Sequence, residues 1–193
     1  MVDFKNAKKY ILDRLEKELS PSLYYHGIHH TIDVYEVSIK IAELENISQE
    51  EKIIINTSAL YHDSGFLFNY LNNERLAVEL VNDVLPSFGY NKEQIIAINE
   101  IIISTQFKDQ PNTLLQKIMS DADYDYLGRT DNFKIADTLY KELEANGFPF
   151  SEKEWNDLQI DFLNKHQYHT ESSIELRRER KWEYLRDLKA LKV

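Results

Sequence analysis

Three of the chain's six histidines crowd into Tyr25-His26-Gly27-Ile28-His29-His30. If this segment is helical, His26 and His30 lie one turn apart on one face, their Cβ atoms ~5–6 Å apart, and His29 points elsewhere. Such a pair can chelate one metal ion, or one member can ligate while the other reaches a substrate. A fourth histidine is followed directly by an acid, in Ala59-Leu60-Tyr61-His62-Asp63-Ser64-Gly65. This pair closes an apolar helix, so it is expected in a cleft rather than in a packed core. The third feature is Ser120-Asp121-Ala122-Asp123-Tyr124-Asp125, where three acids alternate at the end of a helix carrying Leu114, Leu115, Ile118 and Met119. Carboxylates that follow a core-facing helix need a partner, and a cation is one candidate. Each piece alone is weak, because a His-Asp dipeptide is common by chance and a histidine pair at this spacing more often decorates a surface. Their order along one chain is the informative part.

The elements that must position these residues are helices. Four prolines and five glycines in 193 residues leave too little punctuation for an all-β chain. Ser48-Gln49-Glu50-Glu51 and Ser151-Glu152-Lys153-Glu154 are capping boxes, and Asn91-Lys92-Glu93-Gln94 is a weaker one. Gly147 and Pro149 stand where a helix opened near Asp131 should stop. Ile53-Ile54-Ile55 and Ile101-Ile102-Ile103 could be read as strands, but Ile95, Ile96, Ile98, Ile102 and Ile103 recur at helical intervals behind a cap. Helices are expected near 3–19, 26–45, 49–62, 73–85, 92–106, 112–126, 131–146, 152–167 and 171–190. In the last of these, Trp182, Leu185 and Leu188 form a narrow apolar stripe on an otherwise charged helix, which reads as a solvated helix docked along one edge.

Composition narrows the classes further. Forty-two per cent hydrophobic and 12 % aromatic residues describe a globular chain with a sizeable core. A formal charge of −10 opposes a nucleic-acid backbone or an anionic membrane as the main partner, leaving Arg177–Lys189 as the one stretch that could offer a basic face. No cysteine is present, so disulfides, iron–sulfur clusters and thiolate metal sites are excluded. No apolar run approaches the ~18 residues of a membrane span, and a soluble cytoplasmic protein is the expectation.

The order His-x3-His, then His-Asp about thirty residues on, then Asp-Ala-Asp about sixty further, resembles the HD superfamily of metal-dependent phosphohydrolases. Tyr25-His26-Gly27-Ile28-His29-His30-Thr31-Ile32-Asp33-Val34 is similar to that family's Tyr-His-x-x-x-His-x-x-x-Val segment, whose second histidine ligates the metal; the resemblance assigns His30. The family's His-Asp-x-Gly signature is matched by His62, Asp63 and Gly65. Its distal aspartate usually stands in an Ala-Asp sequence, which favours Asp123 over Asp121. The matching segments span roughly residues 24–129. The resemblance thus implies an all-α HD-type helical bundle forming a single domain over 1–193, with additional C-terminal helices from about 130 whose role is open.

The implied ligand set is His30, His62, Asp63 and Asp123. Mixed nitrogen and oxygen donors with no thiolate suit one divalent ion of the octahedral kind, Mn²⁺, Mg²⁺, Co²⁺, Ni²⁺ or Fe²⁺, and zinc also accepts these ligands. Asp63 would both ligate and orient the attacking water. His26 resembles the first histidine of the family's cyclic-nucleotide phosphodiesterase branch and would protonate the leaving oxygen. Branches with two protein-ligated metals place extra histidines between the His-Asp pair and the distal aspartate; residues 64–122 hold none, so one tightly held metal is expected. Glu74 could help a weaker second ion, although a solvated helix-start glutamate is the more ordinary reading. Phe66 occupies the place of the glutamate in the family's His-Asp-x-x-Glu variant, which counts against that nucleotidase branch.

Phosphate needs cationic contacts, and Lys108 and Arg129 are the nearest bases by sequence. Tyr124 and Tyr126 read as core or rim residues, and His166 and His169 as surface histidines. The resulting expectation is a hydrolase of phosphoester or phosphoanhydride bonds in a small, nucleotide-like substrate. The rival reading is a catalytically silent, metal-containing module that binds a nucleotide or a protein. The sequence leaves the exact substrate and the oligomeric state open.

Overall fold

Serine, threonine and asparagine caps set the helix starts. The side chains of Ser48, Asn91 and Ser151 each accept from the backbone N–H three residues on, while Glu51, Gln94 and Glu154 reach back to the cap's own N–H. A fourth box, Thr113 with Gln116, starts its helix at Leu114 rather than at 112. The computed structural model describes residues 1–106 and 110–191. Among these the regular elements are α1 (Phe4–Glu18), α2 (Ile28–Leu44), α3 (Gln49–Tyr61), α4 (Asn73–Val84), α5 (Lys92–Ile103), α6 (Leu114–Asp123), α7 (Asn132–Ala145), α8 (Glu152–Lys165) and α9 (Glu171–Ala190). Short 3₁₀ turns cover Ser64–Leu67, Leu85–Phe88 and Asp125–Gly128. No strand occurs among the described residues, and the fold class is all-α, as expected.

Three boundaries depart from expectation for local reasons. Helix α2 begins at Ile28, because Gly27 is extended (φ −82°, ψ 174°) and the N–H groups of Tyr25 and His26 are held by the Glu142 carboxylate. Helix α5 stops at Ile103, where the hydroxyls of Ser104 and Thr105 donate to the carbonyls of Ile101 and Ile102. Helix α6 ends at Asp123 and tightens into the Asp125–Gly128 turn instead of running on to 126. At the end of α7, Gly147 adopts φ +89° and lets the Phe148 N–H return to the Leu143 carbonyl at 2.8 Å.

The helices enclose two apolar clusters. The first joins α1 to α6 through Ile11, Leu15, Ile55, Leu60, Ile98, Ile102, Ile118 and Met119, all fully buried; the isoleucine runs are therefore helical. The second joins Tyr25, Tyr126 and Leu127 to α7, α8 and α9 through Ala136, Trp155, Leu163, Tyr184, Leu185 and Leu188. The expected stripe on α9 is corrected here. Lys181, Tyr184, Leu185 and Leu188 face inward at i, i+3, i+4 and i+7, whereas Trp182 falls off that face and is 43 % exposed. No described helix is long and apolar enough to cross a membrane.

One close approach positions the site directly. A Cβ at Gly65 would lie 1.8 Å from the Asn73 carbonyl oxygen, so glycine alone lets the start of α4 press against the turn that follows His62-Asp63.

Candidate metal centre

Three helix ends converge. His30 comes from the first turns of α2, His62 caps the C-terminus of α3 with Asp63 next to it, and Asp123 is the last residue of α6. His30 Nε2 lies 3.1 Å from Asp123 Oδ1 and 3.4 Å from Asp63 Oδ2. His62 Nε2 lies 3.0 Å from Asp63 Oδ2 and 3.8 Å from Asp123 Oδ1. His30, His62 and Asp123 offer ligand atoms that all lie within 4.8 Å of one another, a cluster that could hold a metal ion.

The donor set fits a divalent cation by its hydrogen bonding as well. His30 Nε2, His62 Nε2 and Asp63 Oδ2 are buried atoms without a hydrogen-bond partner, and all three meet at one point. His62 Nδ1 donates to the Ala59 carbonyl at 2.9 Å, which places the proton there and frees the Nε2 lone pair. Asp63 Oδ1 accepts from Asn73 Nδ2 at 3.1 Å, so α4 aims the other oxygen at the cluster. The Tyr25 ring packs beside His30, centroids 4.6 Å apart.

Electrostatics point the same way. Burial alone would push both imidazoles down, yet Asp123 and Asp63 outweigh it; His30 is pushed up to about 10 and His62 moves in the same direction. Burial would raise Asp63, but the imidazoles of His62, His26 and His30 hold it well below the usual carboxylate range. Two carboxylates here demand positive charge. A cation in place of the ring protons satisfies that demand.

Geometry separates the alternating acids. Asp121 accepts from the N–H groups of His169 and Thr170 at 2.9 and 2.8 Å and from the Thr170 hydroxyl at 2.7 Å, tying the head of α9 to α6. Asp123 faces the imidazoles. Asp125 is buried and accepts from Arg177 Nε at 2.6 Å. Glu74 is half-buried, and burial followed by the charge of Asp63 raises its carboxyl. Tyr126 is a core residue, and Tyr124 packs on Phe162 and His166.

His26 precedes α2 rather than opening it, which removes the expected one-turn relation to His30. Its ring still reaches the cluster, centroid 5.7 Å from that of His30, stacked on Phe66 at 4.4 Å. His29 is exposed. Arg129, expected to contact substrate, has its guanidinium taken up by carboxylates: Asp33 at 2.8 Å, Asp131 at 3.1 Å and Asp125 at 3.7 Å. It borders an open surface cavity of about 560 Å³ together with Asp33, Thr130, Asp131 and Arg177. Lys108 lies outside the described residues.

His166 is not a surface histidine. It is half-buried among Tyr124, Phe162 and Tyr168, and its Nε2 has no partner. Glu142 is the site-adjacent residue that sequence reasoning missed. It sits on the α7 face marked by Ile135, Leu139 and Leu143, so an acid at apolar spacing was its available signal.

No protein-family model matches the sequence, and no curated protein matches it. Solved structures do match. A predicted HD superfamily hydrolase from an uncultured Thermotogales bacterium shares 16 % identity with a TM-score of 0.65, covering 97 % of this chain and 90 % of that one. Bacillus subtilis YpgQ is 22 % identical with a TM-score of 0.69, covering 98 % and 95 %. The same protein in complex with ADP gives 21 %, 0.68, 98 % and 96 %. The likeness runs the length of the chain, C-terminal helices included, and the chain therefore has the HD-type helical fold that its histidine and aspartate motifs resemble.

Proposed function

We propose that the chain is a metal-dependent hydrolase of phosphoester or phosphoanhydride bonds in a small, nucleotide-like substrate. One observation carries this reading: the buried, unpartnered nitrogens of His30 and His62 and the unpartnered Oδ2 of Asp63 converge with Asp123 on one point. His30, His62, Asp63 and Asp123 would hold a single divalent ion. When bound there, such an ion lowers the pKa of a water and polarises a phosphoryl oxygen. Asp63, steadied by Asn73, would orient the attacking water. His26, beside the cluster but outside it, would give its proton to the leaving oxygen. That YpgQ, which shares the fold, was solved with ADP supports a nucleotide as the substrate class.

The test is turnover by purified, Mn²⁺-loaded protein against nucleoside mono-, di- and triphosphates, cyclic nucleotides and bis(para-nitrophenyl) phosphate. Release of phosphate, pyrophosphate, nucleotide or nitrophenolate is expected with at least one of them, abolished by EDTA. No turnover on the whole panel, with metal demonstrably bound, would sink the hydrolase reading and leave a silent binding module.

A further inference from the structure

Helix α7 buries a carboxylate that the ligand cluster does not use. Glu142 is 0 % exposed. Its Oε2 accepts from the backbone N–H of Tyr25 at 2.7 Å and of His26 at 2.9 Å. Its Oε1 meets His26 Nδ1 in a short contact and accepts from the Tyr70 hydroxyl at 3.3 Å. Burial alone would raise this carboxyl, but His26 and the two N–H groups outweigh it and keep it below its ordinary value. An ionised carboxylate only accepts, so the proton between the two side chains belongs to Nδ1. A flip of the ring would set Cδ2 against the carboxylate and forfeit that bond. Phe66, stacked on the other side, blocks a gradual swing.

We propose that Glu142 is the positioning residue of the proton donor: it fixes the Nδ1–H tautomer and orientation of His26 and leaves Nε2 as the nitrogen that serves the substrate. This rests on the reading of His26 as proton donor. In the step concerned, water oxygen bonds to phosphorus, giving up one proton to solvent, and the bond from phosphorus to the leaving oxygen breaks. The bonding pair stays on that oxygen, which takes the proton from Nε2 of the His26 imidazolium. His26 ends neutral with its Nδ1 proton in place, and Glu142 remains ionised throughout, as a carboxylate does when it steadies a catalytic imidazole. The C-terminal helices thereby acquire a part in the chemistry, although they carry none of the ligands.

Glu142→Gln tests this in two ways. Its amide oxygen would satisfy the two backbone N–H donors and turn the NH₂ group toward Nδ1, forcing the proton to Nε2. Long-range ¹H–¹⁵N spectra of metal-free, ¹⁵N-histidine-labelled protein should show His26 as the Nδ1–H form in the wild type and the Nε2–H form in the variant, with His26→Asn assigning the resonance. In the Mn²⁺-loaded protein, the variant should lose about 10²-fold in kcat on phosphoesters with an alkoxide leaving group. It should lose less than about threefold on the para-nitrophenyl ester, whose leaving group needs no proton, with KM and metal content unchanged. A wild-type Nε2–H tautomer, which needs no variant to observe, overturns the proposal. So does a loss in kcat that is equal across leaving groups, as a purely structural role would give. A wild type inactive on every substrate overturns the hydrolase reading and this role together, whereas an active wild type with a leaving-group-blind variant overturns this role alone.

Discussion

Two regions of the molecule bury imidazoles whose Nε2 atoms have no hydrogen-bond partner, and they do so with opposite electrostatics. Around His30 and His62 stand the carboxylates of Asp63 and Asp123, and His30 is pushed up to about 10. Around His166 stand Tyr124, Phe162 and Tyr168, with Lys181 donating to its carbonyl oxygen, and the ring is pushed down to about 3 by burial, then by Lys181 and His169. An unpartnered buried nitrogen is thus not in itself a ligand. What converts it into one is convergent negative charge that burial has left without a positive partner. The first region asks for a cation, and the second is arranged to do without one.

The sharpest way to break this contrast is to remove charge from the first region. Asp63→Ala should abolish turnover and weaken Mn²⁺ retention by more than about 100-fold, read by metal analysis after gel filtration. His166→Ala should leave both unchanged. Next in size is the split between neighbouring acids. Asp123→Ala should lose the metal, whereas Asp121→Ala should keep it and lower the melting temperature. The latter strands the N–H groups of His169 and Thr170, at a cost on the order of 1–3 kcal/mol per buried unpaired group.

Spread over several pH units is the acid response of the second region. His166 is neutral when folded down to about 3 but charges near ~6.5 when unfolded, so the unfolded chain binds the extra proton between these values. Its contribution to stability is therefore present above ~6.5 and is lost as pH falls toward 3, by up to about 1.4 kcal/mol per pH unit. The urea midpoint of the wild type should fall relative to that of His166→Phe along that slope as the pH drops below ~6.5. The smallest effect is expected at Arg129, whose two hydrogen-bonded carboxylate partners, Asp33 and Asp131, are partly exposed, while buried Asp125 keeps Arg177. Arg129→Gln should cost less than about 1 kcal/mol and change kcat/KM by less than about threefold.

Legibility followed the range of the interactions. Helix starts at Ser48, Asn91 and Ser151 were readable because a cap and its reciprocal partner lie within one turn. The approach of His30, His62 and Asp123 was anticipated from motif order, with Asp123 preferred over Asp121 on the strength of its Ala-Asp context. Contacts made across more than a hundred residues were not readable. His26 was placed inside α2 because nothing local shows that Glu142 holds its amide. Trp182 was assigned to the inner face of α9 because a large aromatic outranks a lysine in any apolar count, yet Lys181 is inside, where it donates to the His166 carbonyl. His166 itself looks like a solvent-facing polar residue until three rings close around it.

Gly65 and Asn73 touch backbone to side-chain position, so the stretch between them is pinched shut at its neck like a drawstring bag. Within it Phe66 lies against His26, Tyr70 reaches Phe148, and Phe68 and Leu71 are open to solvent. Because the neck fixes both ends, enlarging the bag between the exposed Phe68 and Asn69 would cost little more than ring-closure entropy, about 0.6 kcal/mol for each doubling in length. Whoever wishes to re-tailor the rim beside His26 therefore has a pouch to alter that leaves the stitching of His30, His62 and Asp123 untouched.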